Sequence, residues 1–187
     1  TCIVSRGSDN LYKNEKKLKD MYGSENLFAT SCDCTNLNSL NILKHKIEEK
    51  WDSLDIVIVN VGDGRSSSDP LPNNDIWTKT WDNNFESALN TSRVFLPMLE
   101  ASKGCLLFIS SIAGIESIGA PTDYSTAKAA IIALSKNLSK KLAPNVRVNV
   151  IAPGNVYFEG GSWDEKIQKD KNKIQKLLKS TVPMNRF

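Results

Sequence analysis

Three residues near the middle of the chain carry the side chains that carbonyl–alcohol redox chemistry requires. Tyr124 and Lys128 are spaced i, i+4, and Ser111 precedes the tyrosine by thirteen positions. On a helix, residues four apart share a face, so the ammonium would lie beside the phenol and favour its ionised form. A phenol can pass a proton to a substrate oxygen, and a hydroxyl at a strand end can hold the reacting carbonyl. Because no side chain donates hydride, the set predicts a cofactor-dependent redox site.

The elements that must position these residues are short apolar runs alternating with segments of helical period. The apolar runs predict strands at 2–5, 26–31, 55–60, 104–110 and 146–151. The periodic segments predict helices at 14–22, after a cap at Thr35, at 122–142 and at 163–179. A further long helix is predicted at 76–101, with a break near its start and an end near Pro97 or shortly after. Strands alternating with helices predict an α/β fold, with one doubly wound parallel sheet between two helical layers in a single domain over 1–187.

One edge of this predicted sheet gathers the polar residues that follow the strands. Asn60 ends one predicted strand, Ser110 and Ser111 lie at the end of the next, and the Pro153-Gly154 pair follows the last. A polar loop is predicted at 62–74. Parallel sheets bind ligands outside the carboxyl ends of their strands. The sequence therefore predicts the binding site at this edge.

Composition and charge favour a protein that acts on a small molecule. The net charge is only +3 and the lysines are scattered, which gives little support to nucleic-acid binding. No apolar run approaches the ~20 residues that a membrane span needs, and the first residues do not resemble a signal peptide. We expect a cytoplasmic protein with neither a nucleic-acid nor a membrane partner.

The four cysteines do not form a recognisable metal-binding pattern. Cys32 and Cys34 are two apart, but no second pair follows, and His45 is the only histidine. Zinc sites normally combine two such clusters, so no metal site is expected. Cys2 and Cys105 lie in apolar runs and are interpreted as core residues of a protein with reduced thiols.

Several segments resemble the short-chain dehydrogenase/reductase family. They are NVGDG from Asn60, WTKTWDNNFESALNTSRVFLPML around Asn84, SSIAGIESIGAPTDYSTAK, and the Pro-Gly pair after the last predicted strand. The resemblance runs over nearly the whole chain. It implies a Rossmann-like fold and hydride transfer between NAD(P)(H) and a ketone or secondary alcohol. It also implies a homodimer or homotetramer built through helices 76–101 and 122–142.

The resemblance implies a role for each matching residue. Tyr124 would be the general acid/base, Ser111 would position the substrate, Lys128 would bind the nicotinamide ribose and tune the tyrosine, and Asn84 would hold a relay water. Asp33 would hydrogen-bond the adenine, and the backbone of Val156 would contact the nicotinamide amide. The implied cofactor-binding residues are Arg6, Asp33, Asn60, Gly62, Tyr124, Lys128, Pro153, Gly154 and Val156.

The end of the predicted strand 2–5 indicates which of the two nicotinamide cofactors is bound. An acidic residue there binds the ribose hydroxyls of NAD, whereas an arginine accommodates the 2′-phosphate of NADP. The chain reads Ser5-Arg6, with no acid at that place, so NADP(H) is favoured and NAD(H) is possible. Val61, Asp63 and Phe158 depart from the family pattern, which predicts altered ribose and pyrophosphate contacts.

Parts of the family pattern are absent from this sequence. CIVSR resembles the second strand of the family, and VPMNRF resembles the stretch before its last helix and strand. The first strand, its TGxxxGxG turn and the C-terminal strand have no match. The missing first strand would leave backbone groups unpaired, so the chain alone is expected to be unstable. We hypothesise that the 187 residues are an interior fragment of a longer enzyme.

The sequence leaves alternatives open for the substrate class and for whether the protein is an enzyme. The general resemblance is to 3-oxoacyl-carrier-protein reductases, and sugar or polyol oxidation is an alternative. Trp163, in the segment where the family has a variable lid, would cover an apolar substrate or pack on the core. A nucleotide-binding protein that has lost catalysis and a structural interaction module built on the long helices are the rival classes.

Overall fold

The computed structural model describes residues 1–23 and 25–187, which form two compact units, 1–152 and 153–187. The strands are β1 (Cys2–Ser5), β2 (Phe28–Ser31), β3 (Ile56–Val59), β4 (Cys105–Ile109) and β5 (Arg147–Ile151). The helices of the first unit are α1 (Ser8–Tyr22), α2 (Leu37–Lys50), α3 (Asn74–Trp81), α4 (Ser87–Ser102) and α5 (Thr122–Lys141). A π-helical segment, Asp82–Glu86, joins α3 to α4, and a 3-10 turn, Ile112–Gly114, follows β4.

All strand pairs in the described residues are parallel. β1 pairs with β2, with Cys2 opposite Phe28, and β4 lies between β3 and β5. The α/β class with parallel strands is therefore confirmed, but the predicted single sheet is present as two pieces.

The core of the first unit lies where α2, α4 and α5 pack against β3, β4 and β5. Leu106 and Phe108 of β4 are fully buried, which agrees with the continuous apolar run from which that strand was predicted. Asn36 and Asn73 cap α2 and α3 by accepting a backbone N–H three residues on. The cap of α2 is therefore one residue later than the predicted Thr35.

A cleft separates the two sheets, and we call it the β1–β3 cleft. It has a volume of about 1360 Å³, and all four residues of β1 and three of β3 line it. Ile56 and Ile58 of β3 are 58% and 59% exposed, although they belong to an apolar strand. The edges of β1 and β3 thus remain without a strand partner in the described residues.

The predicted helix 76–101 is confirmed: α3, the π-helical segment and α4 form it, the π-helical segment lies near its start, and it ends at Ser102, with Pro97 inside α4. One helical prediction needs correction. The predicted helix 163–179 is two helices, α6 (Ser162–Lys169) and α7 (Lys171–Thr181). Asp170 breaks it because its backbone leaves the helical region (φ −156°, ψ 87°) and its carboxylate accepts the N–H of Lys173 over 2.9 Å.

The second unit, 153–187, has a small aromatic cluster of its own. The rings of Tyr157 and Trp163 each lie against Phe187, at centroid distances of 5.8 and 5.3 Å. Ile174 and Leu178 are buried on α7. No helix among the described residues is both long and apolar enough to cross a membrane. The assignment of the whole chain to one domain stays a prediction.

Candidate active site

The turn after β4 places Ser111 against helix α5. The Ser110 hydroxyl donates to the main-chain carbonyl of Lys128 over 2.8 Å. The Ser111 oxygen accepts the N–H of Ala113 over 3.2 Å and caps the 3-10 turn. Within the described part of the chain, the Ser111 O–H donates to no other group, so it is available to a substrate oxygen.

Gly114 allows this turn to approach the helix backbone. A β-carbon at position 114 would lie 2.6 Å from the carbonyl carbon of Lys128 and 2.7 Å from the nitrogen of Ala129. Any larger residue would push the turn, and Ser111 with it, away from α5. The sequence analysis did not identify Gly114, because its role depends on a contact between distant segments.

Tyr124 and Lys128 lie one turn apart on α5, as predicted. The Lys128 ammonium is 5.7 Å from the centroid of the Tyr124 ring and donates to the Ile109 carbonyl over 3.2 Å. The lysine is only 4% exposed, and this burial lowers the pKa of its ammonium to about 8. A partly desolvated cation therefore stands beside the phenol.

Asn84 holds the loop that begins after β3. It is fully buried in the π-helical segment, a form of helix that often marks functional sites. Its amide nitrogen donates to the carbonyls of Asp63 and Thr80 over 3.0 and 2.9 Å, and its oxygen accepts the Asp63 N–H over 3.2 Å. The side chain thus anchors Asp63, and its role in binding a relay water stays a prediction.

Two glycines bring this loop onto the catalytic candidates. A β-carbon on Gly62 would lie 2.6 Å from the Asn84 oxygen and 3.0 Å from the Lys128 ammonium. A β-carbon on Gly64 would lie 3.5 Å from the Tyr124 ring. The structure therefore gathers Gly62, Asn84, Tyr124 and Lys128 at one place, with the Ser111 turn packed on the same helix.

A buried carboxylate that the sequence analysis missed ties the same loop to α5. Asp123 is 1% exposed; it accepts the N–H of Tyr124 over 2.8 Å and a short hydrogen bond from the Ser66 hydroxyl. Thr80 in turn donates to Ser66 over 3.3 Å. An acid in the first turn of a helix was the available signal, because carboxylates are favoured at helix N-termini.

Four of the predicted cofactor-binding residues line the β1–β3 cleft: Arg6, Asp33, Asn60 and Gly62. The Arg6 guanidinium donates to the Asn83 side chain over 3.1 Å. Hydrogen bonds from Thr35 hold the pKa of the Asp33 carboxyl below its ordinary value, and the Arg6 charge adds to this effect.

These residues suit the adenosine part of a nicotinamide dinucleotide, with a cation, an acceptor and apolar walls in one cleft. The cleft offers fewer residues that could contact the pyrophosphate part of the dinucleotide. The described residues that line the cleft include two glycines, Gly7 and Gly62, but no glycine-rich turn. Pro153, Gly154 and Val156 belong to the second unit, so their cofactor contacts stay predictions.

Comparison with known proteins identifies relatives of this chain by sequence. The family model for short chain dehydrogenases matches residues 1–166. A 3-oxoacyl-[acyl-carrier-protein] reductase of Chlamydia muridarum is 36% identical over 139 residues, which are 73% of this chain and 56% of that protein. The chain thus spans little more than half the length of this curated relative.

Two solved structures share the fold. An NADPH-bound short chain oxidoreductase of Pseudomonas aeruginosa PAO1, described as having an atypical catalytic center, superposes with a TM-score of 0.90 at 24% identity; the match covers all of this chain and 73% of the other. An L-sorbose reductase of Gluconobacter frateurii, in complex with NADPH and L-sorbose, gives 0.89 at 22% identity with the same coverage. The Rossmann-type α/β fold is confirmed, and the chain belongs to the short chain dehydrogenase family.

Proposed function

We propose that the protein of which this chain is part is an NADP(H)-dependent oxidoreductase that interconverts a ketone and a secondary alcohol. The observation that carries the proposal is the close grouping of Tyr124, Lys128, Asn84 and Gly62, with Ser111 at the adjacent strand end. Each member supplies one requirement of carbonyl reduction, and the loop that contains Gly62 and Gly64 closes over the tyrosine ring.

The protein's own contribution to the reaction is the control of one proton and one carbonyl oxygen. The cofactor, when bound, supplies or accepts the hydride. Tyr124 donates a proton to the substrate oxygen during reduction and removes it during oxidation. Ser111 donates a hydrogen bond to the same oxygen and orients the carbonyl. Lys128 places its partly desolvated ammonium 5.7 Å from the centroid of the Tyr124 ring, where it would interact with the phenol electrostatically and hold the nicotinamide ribose.

Binding of NADP(H) rather than NAD(H) is supported by Arg6. Its guanidinium lines the cleft beside Asp33, and an arginine in this place accommodates the 2′-phosphate. The NADPH-bound relatives agree with this preference. The Arg6 guanidinium donates to the side chain of Asn83, which also lines the cleft.

The β1–β3 cleft supports the proposal that a further segment completes the site. Both strands present unpaired backbone groups to it, and two exposed isoleucines of β3 face outward from the core. Buried backbone groups need partners, and apolar side chains need cover. We propose that a parallel strand outside residues 1–187 pairs with both edges in the full-length protein and adds the missing pyrophosphate contacts.

The substrate class and the assembly rest on resemblance. The Chlamydia relative favours a 3-oxoacyl thioester, and the L-sorbose reductase favours a sugar ketone. Assembly through α4 and α5 as a dimer or tetramer is proposed from the family pattern. A non-catalytic nucleotide-binding role is the second candidate, but the retention of all four catalytic side chains disfavours it.

The test is an NADPH oxidation assay of the full-length protein with three kinds of ketone: 3-oxoacyl thioesters, ketoses and simple alkyl ketones. The proposal expects turnover with at least one of these classes. NADPH binding without turnover on any carbonyl compound would establish the non-catalytic alternative.

A further inference from the structure

Gly64 lies over the end of the Tyr124 ring that carries the hydroxyl. A β-carbon at position 64 would lie 3.5 Å from Cζ, 3.6 Å from Cε2 and 3.8 Å from Cε1 of that ring. Nearly equal distances to these three carbons place the point above the ring face rather than beside its edge. Gly64 itself is exposed. The glycine therefore leaves open a volume next to the group that exchanges a proton with the substrate in the proposed reaction.

The fold does not require a glycine at position 64. The backbone there is outside the left-handed region in which glycine is favoured. A contact at 3.5 Å is an ordinary van der Waals distance, so a methyl group would fit against the ring. Gly62 is different, because a β-carbon there would lie 2.6 Å from the Asn84 oxygen. Packing thus explains the glycine at position 62 but not the one at position 64.

Hydrogen bonds on both sides of Gly64 fix the size of this volume. Before it, the Asn84 side chain binds both main-chain groups of Asp63, accepting from the N–H over 3.2 Å and donating to the carbonyl over 3.0 Å. After it, the Ser66 hydroxyl donates to the buried carboxylate of Asp123. The loop can therefore move away from the ring only if these hydrogen bonds break.

The same volume is within reach of a ketone that reacts with Tyr124. A carbonyl oxygen that takes the phenol proton lies about 2.5–3.0 Å from the phenol oxygen. The carbonyl carbon carries two substituents, and one that is directed toward the loop extends over the Cζ end of the ring. A side chain at position 64 would contact Cζ from that side. The side chain and the substituent would therefore compete for one space.

We propose that Gly64 is a specificity-determining residue, which admits a ketone whose substituent on the loop side is larger than a methyl group. The open volume holds at least one carbon atom of that substituent, because a β-carbon would fit there without a clash. The hydrogen-bonded loop sets the upper limit on the size of the substituent. This inference rests on the proposed function and adds to it the shape of the substrate.

The experiment measures NADPH-dependent reduction by the full-length parent, Gly64→Ala and Gly64→Val. The substrates are the best ketone of the parent and its two homologues in which one or the other substituent of the carbonyl is shortened to methyl. We expect kcat/KM for the best ketone to fall about 10-fold in Gly64→Ala and about 100-fold in Gly64→Val, and that for one homologue to stay within about threefold of the parent. The homologue that is spared identifies the substituent that lies beside the loop.

Ser68→Val is the matched control, because it adds the same side chain at an exposed position of the same loop. It should leave kcat/KM for all three ketones unchanged. NADPH affinity shows whether each variant is folded, and if Gly64→Val does not bind NADPH, the values of Gly64→Ala decide. An equal loss on all three ketones would show that residue 64 acts on Tyr124 rather than on the substrate, and this result would overturn the proposal. Unchanged kcat/KM in the Gly64 variants would overturn it as well.

Nitration of Tyr124 tests the geometry without turnover. Tetranitromethane modifies the ring carbons beside the hydroxyl, which are Cε1 and Cε2. Tyr124 is the only tyrosine of the tryptic peptide 104–128, and the exposed Tyr22 serves as the reference. We expect Gly64→Val to slow nitration of Tyr124 several-fold relative to Tyr22, and Ser68→Val to leave it unchanged. Equal rates would overturn the placement of residue 64 over the ring. A parent without turnover on any ketone would contradict the proposed function instead, and the specificity role with it.

Discussion

A β-carbon on Gly62 would stand 2.6 Å from the side-chain oxygen of Asn84, so the main chain at position 62 is in direct contact with that amide. The contact fixes the loop after β3 to the π-helical segment. Through the same glycine, the loop also approaches the Lys128 ammonium. The loop, the asparagine and the lysine therefore form one packed unit around Tyr124.

Gly62→Ala should disturb this unit. The added methyl group must displace Asn84 or Lys128, which we expect to cost about 1–3 kcal/mol of unfolding free energy and about 100-fold in kcat, because small misplacements of catalytic groups are costly. Urea unfolding and steady-state kinetics measure the two effects. Gly7→Ala is the matched control for stability, because a β-carbon there meets nothing within 4 Å. Equal stability of the two variants would contradict the contact.

Asp123→Ala should loosen the loop from α5. The change removes the acceptor of the Ser66 hydroxyl and of the Tyr124 N–H, and leaving buried donors unpaired costs about 1–3 kcal/mol each. Thermal unfolding and kcat/KM are the measurements, and we expect both to fall. Asp9→Ala, which removes an exposed acid from the first turn of α1, should change stability by less than about 0.5 kcal/mol. An equally small effect at Asp123 would refute its anchoring role.

Lys128 should make stability depend on pH in the alkaline range. Its pKa is about 8 in the folded protein and 10.5 as the ordinary value, so the unfolded chain binds the proton more tightly. Folding is therefore opposed by protonation, and stability rises as pH increases from about 8 to 10.5. The full difference corresponds to about 3 kcal/mol. It is measured as the unfolding free energy of the parent minus that of Lys128→Met at each pH. A difference that is flat across this window would show that Lys128 is well solvated.

Arg6→Leu should lower the preference for NADPH over NADH. The guanidinium is the cation of the β1–β3 cleft that sits beside Asp33, and losing its contact with a 2′-phosphate should raise the KM for NADPH about 10- to 100-fold while leaving that for NADH nearly unchanged. Lys13→Leu removes the same charge from an exposed position on α1 and should leave both values unchanged. A parent enzyme that already prefers NADH would contradict the assignment of Arg6.

The order of strands and helices and the grouping of Tyr124 with Lys128 could be predicted because they depend on local patterns. Apolar runs gave the five strands, and i, i+4 spacing gave the pair on α5. The break at Asp170 was missed because a lysine-rich helical period runs through it, while the aspartate caps the next helix. The helix 76–101 could be predicted to within two residues at each end because its apolar period is local, and the structure continues it through Pro97 to Ser102.

The contacts that assemble the site could not be predicted in this way. The two glycines, Gly62 and Gly114, contact residues that are 14 or more positions away along the chain. The hydrogen bond between Asp123 and Ser66 joins residues that are 57 positions apart. Such contacts leave no periodic pattern in the sequence around these residues. The division of the sheet into two pieces was likewise not predicted. The sequence did contain a signal for it, because no segment matches the first strand of the family.

The central claim of the proposed function is that Tyr124 transfers the proton to the substrate oxygen. The most direct measurement compares full-length parent and Tyr124→Phe proteins for NADPH affinity and for single-turnover reduction of the best ketone. The account predicts unchanged affinity within about twofold and a loss of turnover of at least about 1000-fold, because the phenol is the general acid. Substantial turnover by the Tyr124→Phe protein would contradict it.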